Sequence, residues 1–253
     1  MQYGEIVFGT FVSRPNRFVA QVLLDDPAPD AAAAAGAGAG SRATGAAAAA
    51  EPVTVHVKNT GRCRELLVPG CKVVLERAAN PNRKTPYDLV GVYKVTPEHP
   101  EGRLFNIDSQ APNKVVAEWL ADQGYDLVKP EHRFGDSRVD FYMERTVDGR
   151  LQRCLLEVKG CTLEVDGVGY FPDAPTERGV KHLRELTAAQ QQGYECTVAF
   201  VIQMEGVSDV RPNVATHPEF GQALDQARAA GVRILPLMCQ VRPDSLRIVE
   251  AGE

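Results

Sequence analysis

The sequence lacks the patterns that mark membrane, secreted and zinc-binding proteins. None of its apolar runs approaches the roughly 18 residues of a membrane-spanning helix, and residues 1–9 lack the basic start and apolar middle of a signal peptide. The six cysteines include no CxxC pair and no histidines cluster, so neither a zinc site nor a disulfide framework is indicated. We therefore expect a cytoplasmic protein whose cysteines are small buried side chains.

Positive charge is also scarce. The 253 residues include 28 Lys and Arg against 33 Asp and Glu, a formal net charge of −5. This balance ordinarily argues against a nucleic-acid partner, because phosphate binding relies on Lys and Arg. The charge is uneven, however, since residues 53–84 hold seven basic and two acidic side chains, a local +5, which leaves −10 for the rest. Such a stretch is either a solvated face or a basic binding surface.

A low-complexity insertion at residues 27–52 distorts the composition. Residues 31–50 comprise 13 Ala, 4 Gly and one each of Ser, Arg and Thr. The glycines lower helix propensity, and no apolar stripe is present that could dock a helix on a core. We interpret the segment as a surface loop.

The length predicts two domains, with the boundary near residue 108. Residues 1–108 alternate in short segments, which predicts strands at 6–13, 18–24, 53–58, 72–77 and 89–95 and an OB-fold-like β-barrel. Residues 109–253 predict an α/β domain, a mixed sheet flanked by helices. Its predicted helices are 113–122, 180–192 and 220–230, and its strands are 127–131, 138–144, 153–158, 197–203 and 232–237.

Three charged residues fall on strands of this second domain. Glu157 and Lys159 are two apart on one predicted strand, so they project from the same face. A hairpin that turns at 148–149 brings Asp140 beside them. Two carboxylates suit Mg²⁺ or Mn²⁺, and the lysine can orient a water or offset charge on a phosphate. A purely structural Glu–Lys pair is the alternative interpretation.

Other residues could extend this group. Glu118, on the preceding helix, could add a third carboxylate, and Gln203 closes an apolar strand, where a polar side chain needs a specific partner. Thr176 can cap a helix whose first turns carry Arg178 and His182, a start that suits a phosphate. His182 has an alternative interpretation as an ordinary histidine on the helix surface.

The chain resembles the sugar fermentation stimulation protein family, known as SfsA, nearly from end to end. The motifs that carry the resemblance are RPNRF at 14–18, HVKNTGR at 56–62, SRVDF at 137–141, EVK at 157–159, and FPDAPTERG at 171–179 followed by KHL at 181–183. The chain departs from the family pattern in the Ala/Gly insertion, at Cys63 and at His217-Pro218. These departures leave the Asp, Glu and Lys motifs intact.

The resemblance implies an OB-fold-like domain at 1–108 that binds DNA and a PD-(D/E)XK nuclease-like domain at 109–253. It implies Asp140, Glu157 and Lys159 as catalytic residues. Asp140 and Glu157, joined by Glu118, would hold Mg²⁺ or Mn²⁺, and Gln203 is a weaker match. We expect DNA, or RNA, to contact a set of basic residues: Arg17, Lys58, Arg62, Arg64, Lys84, Arg178 and His182.

Two other functions stay open at this point. One is a catalytically silent DNA-binding regulator of sugar-utilisation genes of the maltose type. The other is a metal-dependent hydrolase of a different phosphorylated substrate. The nuclease is favoured, because a pure binding module has no need to hold two carboxylates and a lysine together at a buried strand.

Overall fold

The computed structural model describes residues 1–25, 51–59, 61–135 and 137–252. Nearly all of the predicted surface loop at 27–52 lies outside the described residues. Among the helices of the described ranges, none has both the length and the apolar character that a membrane crossing requires.

The first part of the chain closes into a five-stranded barrel. Its strands are β1 (Ile6–Asn16), β2 (Val19–Leu24), β3 (Val53–Val57), β4 (Lys72–Arg77) and β5 (Tyr87–Thr96). They pair in the order β3-β2-β1-β4-β5, and a parallel β3–β5 pairing closes the barrel. Alternate side chains fill its interior, among them the fully buried Val22, Val55 and Leu75. The predicted OB fold is confirmed.

A sixth strand that the sequence did not predict extends this sheet. β6 (His99–Asn106) forms a hairpin with β5. Pro100 and Gly102 interrupt its alternating pattern, and both residue types weaken strand prediction. β6 lies at the edge of the sheet, where a proline is tolerated, and it leads the chain toward the second region.

The second part of the chain is a mixed six-stranded sheet with helices on both faces, as predicted. Its order is β15-β14-β12-β9-β8-β7, and three of its four inner strands, β9, β12 and β14, run parallel. The strands are β7 (Leu127–Phe134), β8 (Ser137–Val147), β9 (Arg150–Cys161), β12 (Glu195–Ile202), β14 (Arg233–Arg242) and β15 (Ser245–Ala251).

Three helices cover this sheet and bury β9 on both sides. α1 (Ala111–Leu120) packs on one face, against Leu156 and Val158. α2 (Glu177–Gln191) and α3 (Pro218–Ala229) pack on the other face, where Leu155 lies in the same apolar cluster as Leu183 of α2. A charged side chain on β9 is therefore surrounded by protein, and it needs a partner.

Three short strands, β10 (Leu163–Val165), β11 (Val168–Phe171) and β13 (Val210–Pro212), form a separate small sheet. The sequence did not predict them because each is only three or four residues long. β11 ends where residues 172–176 lead into α2, so this small sheet sets the path of the segment that precedes the helix.

Buried polar contacts join the barrel to the sheet region. Gln203, at the end of β12, donates through Nε2 to the backbone oxygens of Asn106 and Asp108, each at 3.1 Å. Glu164 of β10 pairs with Lys94 at 2.9 Å and with Arg103 at 2.6 Å. These contacts fix the barrel against the end of the sheet that carries the candidate site.

Candidate functional site

The β8–β9 hairpin places the two predicted carboxylates opposite each other. The strands pair from Val147↔Arg150 to Phe141↔Leu156, and the turn residues Asp148 and Gly149 have φ of 49° and 73°. Positive φ at both positions matches the right-handed twist of a two-residue hairpin, so the predicted turn is confirmed. One step further, the same register sets Asp140 opposite Glu157.

Asp140 ends the ladder by replacing a backbone partner with its side chain. Its Oδ2 accepts the Val158 N–H at 2.7 Å, and its Oδ1 accepts from the Asn113 side chain at 2.8 Å. Asn113 lies in the first turn of α1, so the helix and the hairpin hold the carboxylate together.

Glu157 is buried, with 4% of its surface exposed. Its Oε1 accepts from Lys159 Nζ at 2.5 Å and from Nδ1 of His182. Burial raises the pKa of Glu157, but the hydrogen bond from His182 and the Lys159 ammonium outweigh it and leave this pKa below its usual value. Glu157 is therefore held ionised.

His182 positions Glu157 and is not a surface residue. Thr176 caps α2 by accepting the Gly179 N–H at 3.0 Å, as predicted, and the helix carries His182 onto the buried face beside β9. Arg178 Nε donates to His182 Nε2 at 3.3 Å, which assigns the ring proton to Nδ1. Both ring nitrogens are occupied in this arrangement, and phosphate binding by His182 stays a prediction.

The paired carboxylates repel each other. Burial raises the pKa of Asp140, and the negative charge of Glu157 raises this pKa further. A divalent cation would relieve that repulsion, and two carboxylates on a rigid hairpin are the oxygen donors that Mg²⁺ or Mn²⁺ prefers. The donor set fits a hard cation.

A second acidic cluster lies at the starts of α2 and α3. Glu177, His217 and Glu219 each place one potential ligand atom within 4.8 Å of the others, so this is also a possible metal-binding cluster. The Thr176 N–H donates to His217 Nδ1 at 3.2 Å, which leaves the proton on Nε2, facing Glu177. Glu219 is paired with Arg184 at 2.7 Å. In the structure, His217 and Glu219 are thus engaged by neighbouring groups of the protein.

A basic groove of about 560 Å³ opens beside His182. The side chains of Arg138, Arg178, Lys181 and Arg184 line it, together with Ser137 and Glu177. Arg138 stands two residues before Asp140 on β8, and Arg178 contacts His182, the partner of Glu157, so residues that line the groove neighbour both carboxylates. Its charge and position suit the phosphates of an extended polyanion.

Lys58 does not present its charge to a ligand. Its ammonium lies 2.8 Å from Asp108 and 3.6 Å from Glu76, and only 12% of its side chain is exposed. Asp108 itself is fully buried. The prediction that Lys58 contacts nucleic acid is therefore wrong, because this lysine neutralises a buried carboxylate.

The other predicted barrel contacts are exposed. Arg17 lies over the Phe18 ring at 4.8 Å, and Arg14 binds the backbone oxygens of Arg17 and Arg62, so the two exposed residues sit at one end of the barrel. Arg64 is on the same loop as Arg62. Lys84 lies before β5, and the parallel β3–β5 register directs that loop away from the one that follows β3. Nucleic-acid binding by these four residues stays a prediction.

Glu118 lies apart from the carboxylate pair. Its carboxylate bonds the Met1 amino group at 2.6 Å, and 61% of the side chain is exposed. On α1, Glu118 lies five residues after Asn113, the residue that contacts Asp140. Five residues correspond to a rotation of about 140° around the helix axis, so the two side chains leave the helix in different directions. The prediction that Glu118 completes a metal shell is therefore wrong.

The structure brings Asp140, Glu157 and Lys159 together, as their spacing predicted, and their catalytic roles stay predictions. Gln203 has the specific partners that its burial required, and they are backbone oxygens and the Asn106 side-chain oxygen at the junction with the barrel. Sequence reasoning missed Asn113, for which no local pattern exists. It also missed Arg138, although its position two residues before Asp140 puts both on one strand face.

Comparison with known proteins identifies both regions. The family model described as "SfsA N-terminal OB domain" matches residues 12–98, and "Sugar fermentation stimulation protein RE domain" matches residues 110–245. A sugar fermentation stimulation protein homolog of Desulfitobacterium hafniense is 47% identical, covering 100% of this chain and 96% of the relative. The homolog of Clostridium beijerinckii is 42% identical, covering 98% of this chain and 96% of the relative.

A solved structure shares the whole fold. The structure of Pyrococcus furiosus SfsA in complex with Ca²⁺ superposes with a TM-score of 0.75 at 23% identity, covering 99% of this chain and 96% of that one. At this identity the likeness concerns the fold, whereas the family models and the curated relatives match the sequence itself. On those matches, the chain belongs to the sugar fermentation stimulation protein (SfsA) family.

Proposed function

We propose that this protein is a metal-dependent nuclease of the PD-(D/E)XK type that hydrolyses phosphodiester bonds of DNA or RNA. The observation that carries the proposal is the pair of carboxylates, Asp140 and Glu157, facing each other at the end of the β8–β9 ladder, with Lys159 on Glu157. A structural ion pair alone would explain Glu157 and Lys159, but it does not require a second carboxylate, the half-buried Asp140, beside them.

Asp140 and Glu157 would hold the cation, Mg²⁺ or Mn²⁺. The Pyrococcus furiosus structure in complex with Ca²⁺ supports a hard divalent cation in this fold. When bound, such a cation lowers the pKa of a coordinated water and offsets charge on a phosphate.

The remaining side chains would orient the two carboxylates and neutralise the charge of the phosphates. Asn113 and the Val158 N–H fix the Asp140 carboxylate, and His182 fixes that of Glu157. The Lys159 ammonium can turn from Glu157 toward a phosphate oxygen or an attacking water. Arg138 and Arg178, exposed in the groove, would bind the flanking phosphates. In this proposal the groove beside α2, with a smaller share from the exposed barrel residues, binds the nucleic acid, and the carboxylate pair cuts it.

The test is cleavage by the conservative variants Asp140→Asn and Glu157→Gln, which keep shape and remove charge. With Mg²⁺ or Mn²⁺, the wild type should cut single-stranded DNA or RNA, and EDTA should abolish cutting. Each variant should lose at least about a thousandfold in rate, since it removes a ligand of the cation. Glu118→Gln is the matched control and should keep its rate. Equal cutting by the wild type and both variants would refute the site.

A catalytically silent DNA-binding regulator is the second candidate, and one feature of the site favours it. Both oxygens of Asp140 already accept hydrogen bonds, and Oε1 of Glu157 accepts two. A site satisfied in this way could be purely structural. The regulator predicts salt-dependent DNA binding with no turnover in any divalent metal, which the same cleavage assay distinguishes from the nuclease.

A further inference from the structure

A cleft of about 350 Å³ lies where the barrel meets the sheet region. Asn59 and Gly61 of the barrel form one wall, and residues 170–176 between β11 and α2 form another. Pro112 and Gly160 complete it, and they immediately precede Asn113 and follow Lys159 in the chain. The cleft therefore adjoins the candidate site on both α1 and β9.

Two glycines set the narrow shape of this cleft. A Cβ on Gly160 would lie 2.4 Å from Gln203 Oε1 and 2.9 Å from Pro112 Cγ. A Cβ on Gly61 would lie 2.4 Å from Asp173 Oδ2. Because a side chain at either position would force these walls apart, the glycines allow the barrel and the sheet region to approach as closely as they do.

The lining selects for a flat, uncharged group. Pro112 and Tyr170 offer apolar and aromatic surface, and the ring of Phe171 packs behind them on Phe200 and Phe220. The charged side chain of the lining is Asp173, which accepts the Arg62 N–H at 3.2 Å and whose negative charge disfavours a phosphate. The hydroxyl of Thr162 has no hydrogen-bond partner within the described residues, so it is free to bond a ligand.

We propose that the cleft receives one unpaired nucleobase of the strand whose phosphodiester lies at Asp140 and Glu157. A base has a flat ring, no charge and amino groups that can donate to Asp173, and aromatic surfaces stack on any base. The phosphates of the same strand would run through the groove of Arg138 and Arg178. This inference rests on the proposed function and narrows its substrate to single-stranded or unpaired nucleic acid, because the volume does not admit a duplex.

The test measures binding in EDTA, so it does not depend on cleavage. The probe is a fluorescein-labelled single-stranded 12-mer, supplied as a series in which an abasic site is moved along the strand, and affinity is read from anisotropy. In the wild type, one abasic position should weaken binding about tenfold. In Ala174→Trp, which fills the cleft, that position should no longer matter. The matched control Ala251→Trp adds the same bulk on the exposed edge strand β15 and should behave like the wild type.

The inference would be overturned if no abasic position weakened binding to the wild type. It would also be overturned if the same abasic position still weakened binding to Ala174→Trp. If Ala174→Trp melts well below the wild type, Thr162→Trp, which fills the same cleft from its other wall, gives the decisive comparison. Adding Mg²⁺ afterwards separates the two proposals. If one abasic position weakens binding but the protein never cuts, the base site stands and the nuclease function is refuted. If the protein cuts but no abasic position weakens binding, the nuclease function stands and the base site is refuted.

Discussion

In the barrel, four of the seven basic residues between positions 53 and 84 are occupied by other side chains. Lys58 neutralises the buried Asp108, Arg77 pairs with Glu5, Arg83 binds Asp88, and Lys72 lies over the rings of Phe8 and Tyr93. The groove beside α2 differs in exposure, because Arg138, Arg178 and Lys181 are all exposed there and Lys181 has only a partner on its own helix, Glu185 at 3.6 Å. A local charge count therefore identifies a binding surface only when the acidic partners are known, and two of them, Asp108 and Glu5, are distant in sequence.

Lys58 should give the largest effect, a loss of stability, if the basic residues of the barrel are structural. Lys58→Met removes the cation from a fully buried carboxylate, so the free energy of unfolding should fall by about 3–5 kcal/mol. Lys84→Met is the matched control, since the same change at an exposed position should leave stability within about 0.5 kcal/mol. Urea denaturation measures both. Equal losses of stability in the two variants would mean that Lys58 is not held by Asp108.

Glu164 is a second buried carboxylate that is neutralised by basic side chains, and its contribution to stability should depend on pH. Burial raises its pKa, but the Gly167 N–H and the charges of Lys94 and Arg103 bring this pKa down to about 2. A lowered carboxylate pKa stabilises the fold above the unfolded value near 4.5, by about 3 kcal/mol, and that stability is lost as the pH falls toward 2. The stability gap between the wild type and Glu164→Gln should therefore shrink from pH 7 to pH 3. A gap that does not change with pH would contradict this account.

Binding should depend most on the groove. Replacing Arg138, Arg178 and Lys181 together with Ala should weaken single-strand binding about a hundredfold and reduce the slope of log K against log salt by about 2, since each lost phosphate contact removes about 0.7. Titrations at several salt concentrations measure both values. An unchanged salt slope would show that nucleic acid does not follow the groove.

The exposed barrel residues should matter less. Replacing Arg62, Arg64 and Lys84 with Ala should weaken single-strand binding about tenfold and change the salt slope less than the groove variant does. The reason is that Lys84 and the two arginines lie on loops at opposite ends of the barrel, so one strand does not contact all three. The triple groove variant, measured in the same buffer, is the reference. If the barrel set proves the more damaging of the two, the barrel is the main grip and the comparison is reversed.

The parts of this structure that follow from local pattern were predictable. Alternation and the Asp148-Gly149 turn predict the β8–β9 hairpin, and period two then places Asp140, Glu157 and Lys159 together. Prolines and short lengths concealed β6 and the small three-stranded sheet. The OB barrel was predictable because its strands alternate regularly.

The residues misjudged from sequence are those whose surroundings come from distant elements. Helical periodicity locates His182 on α2, but only the packing of α2 across β9 brings its ring to Glu157. In the same way, Lys58 depends on Asp108 and Glu118 depends on the chain start, and neither partner is visible in a local window. The local sequence determines where a polar side chain lies on a strand or helix, whereas tertiary contacts determine what that side chain does.

The central claim, a cation held by Asp140 and Glu157, is tested most directly by anomalous diffraction from crystals soaked in Mn²⁺. The account predicts a single strong peak within about 2.5 Å of oxygens from both carboxylates, and its loss in Asp140→Asn. A peak at Glu177, His217 and Glu219 instead, or no peak between Asp140 and Glu157, would contradict it.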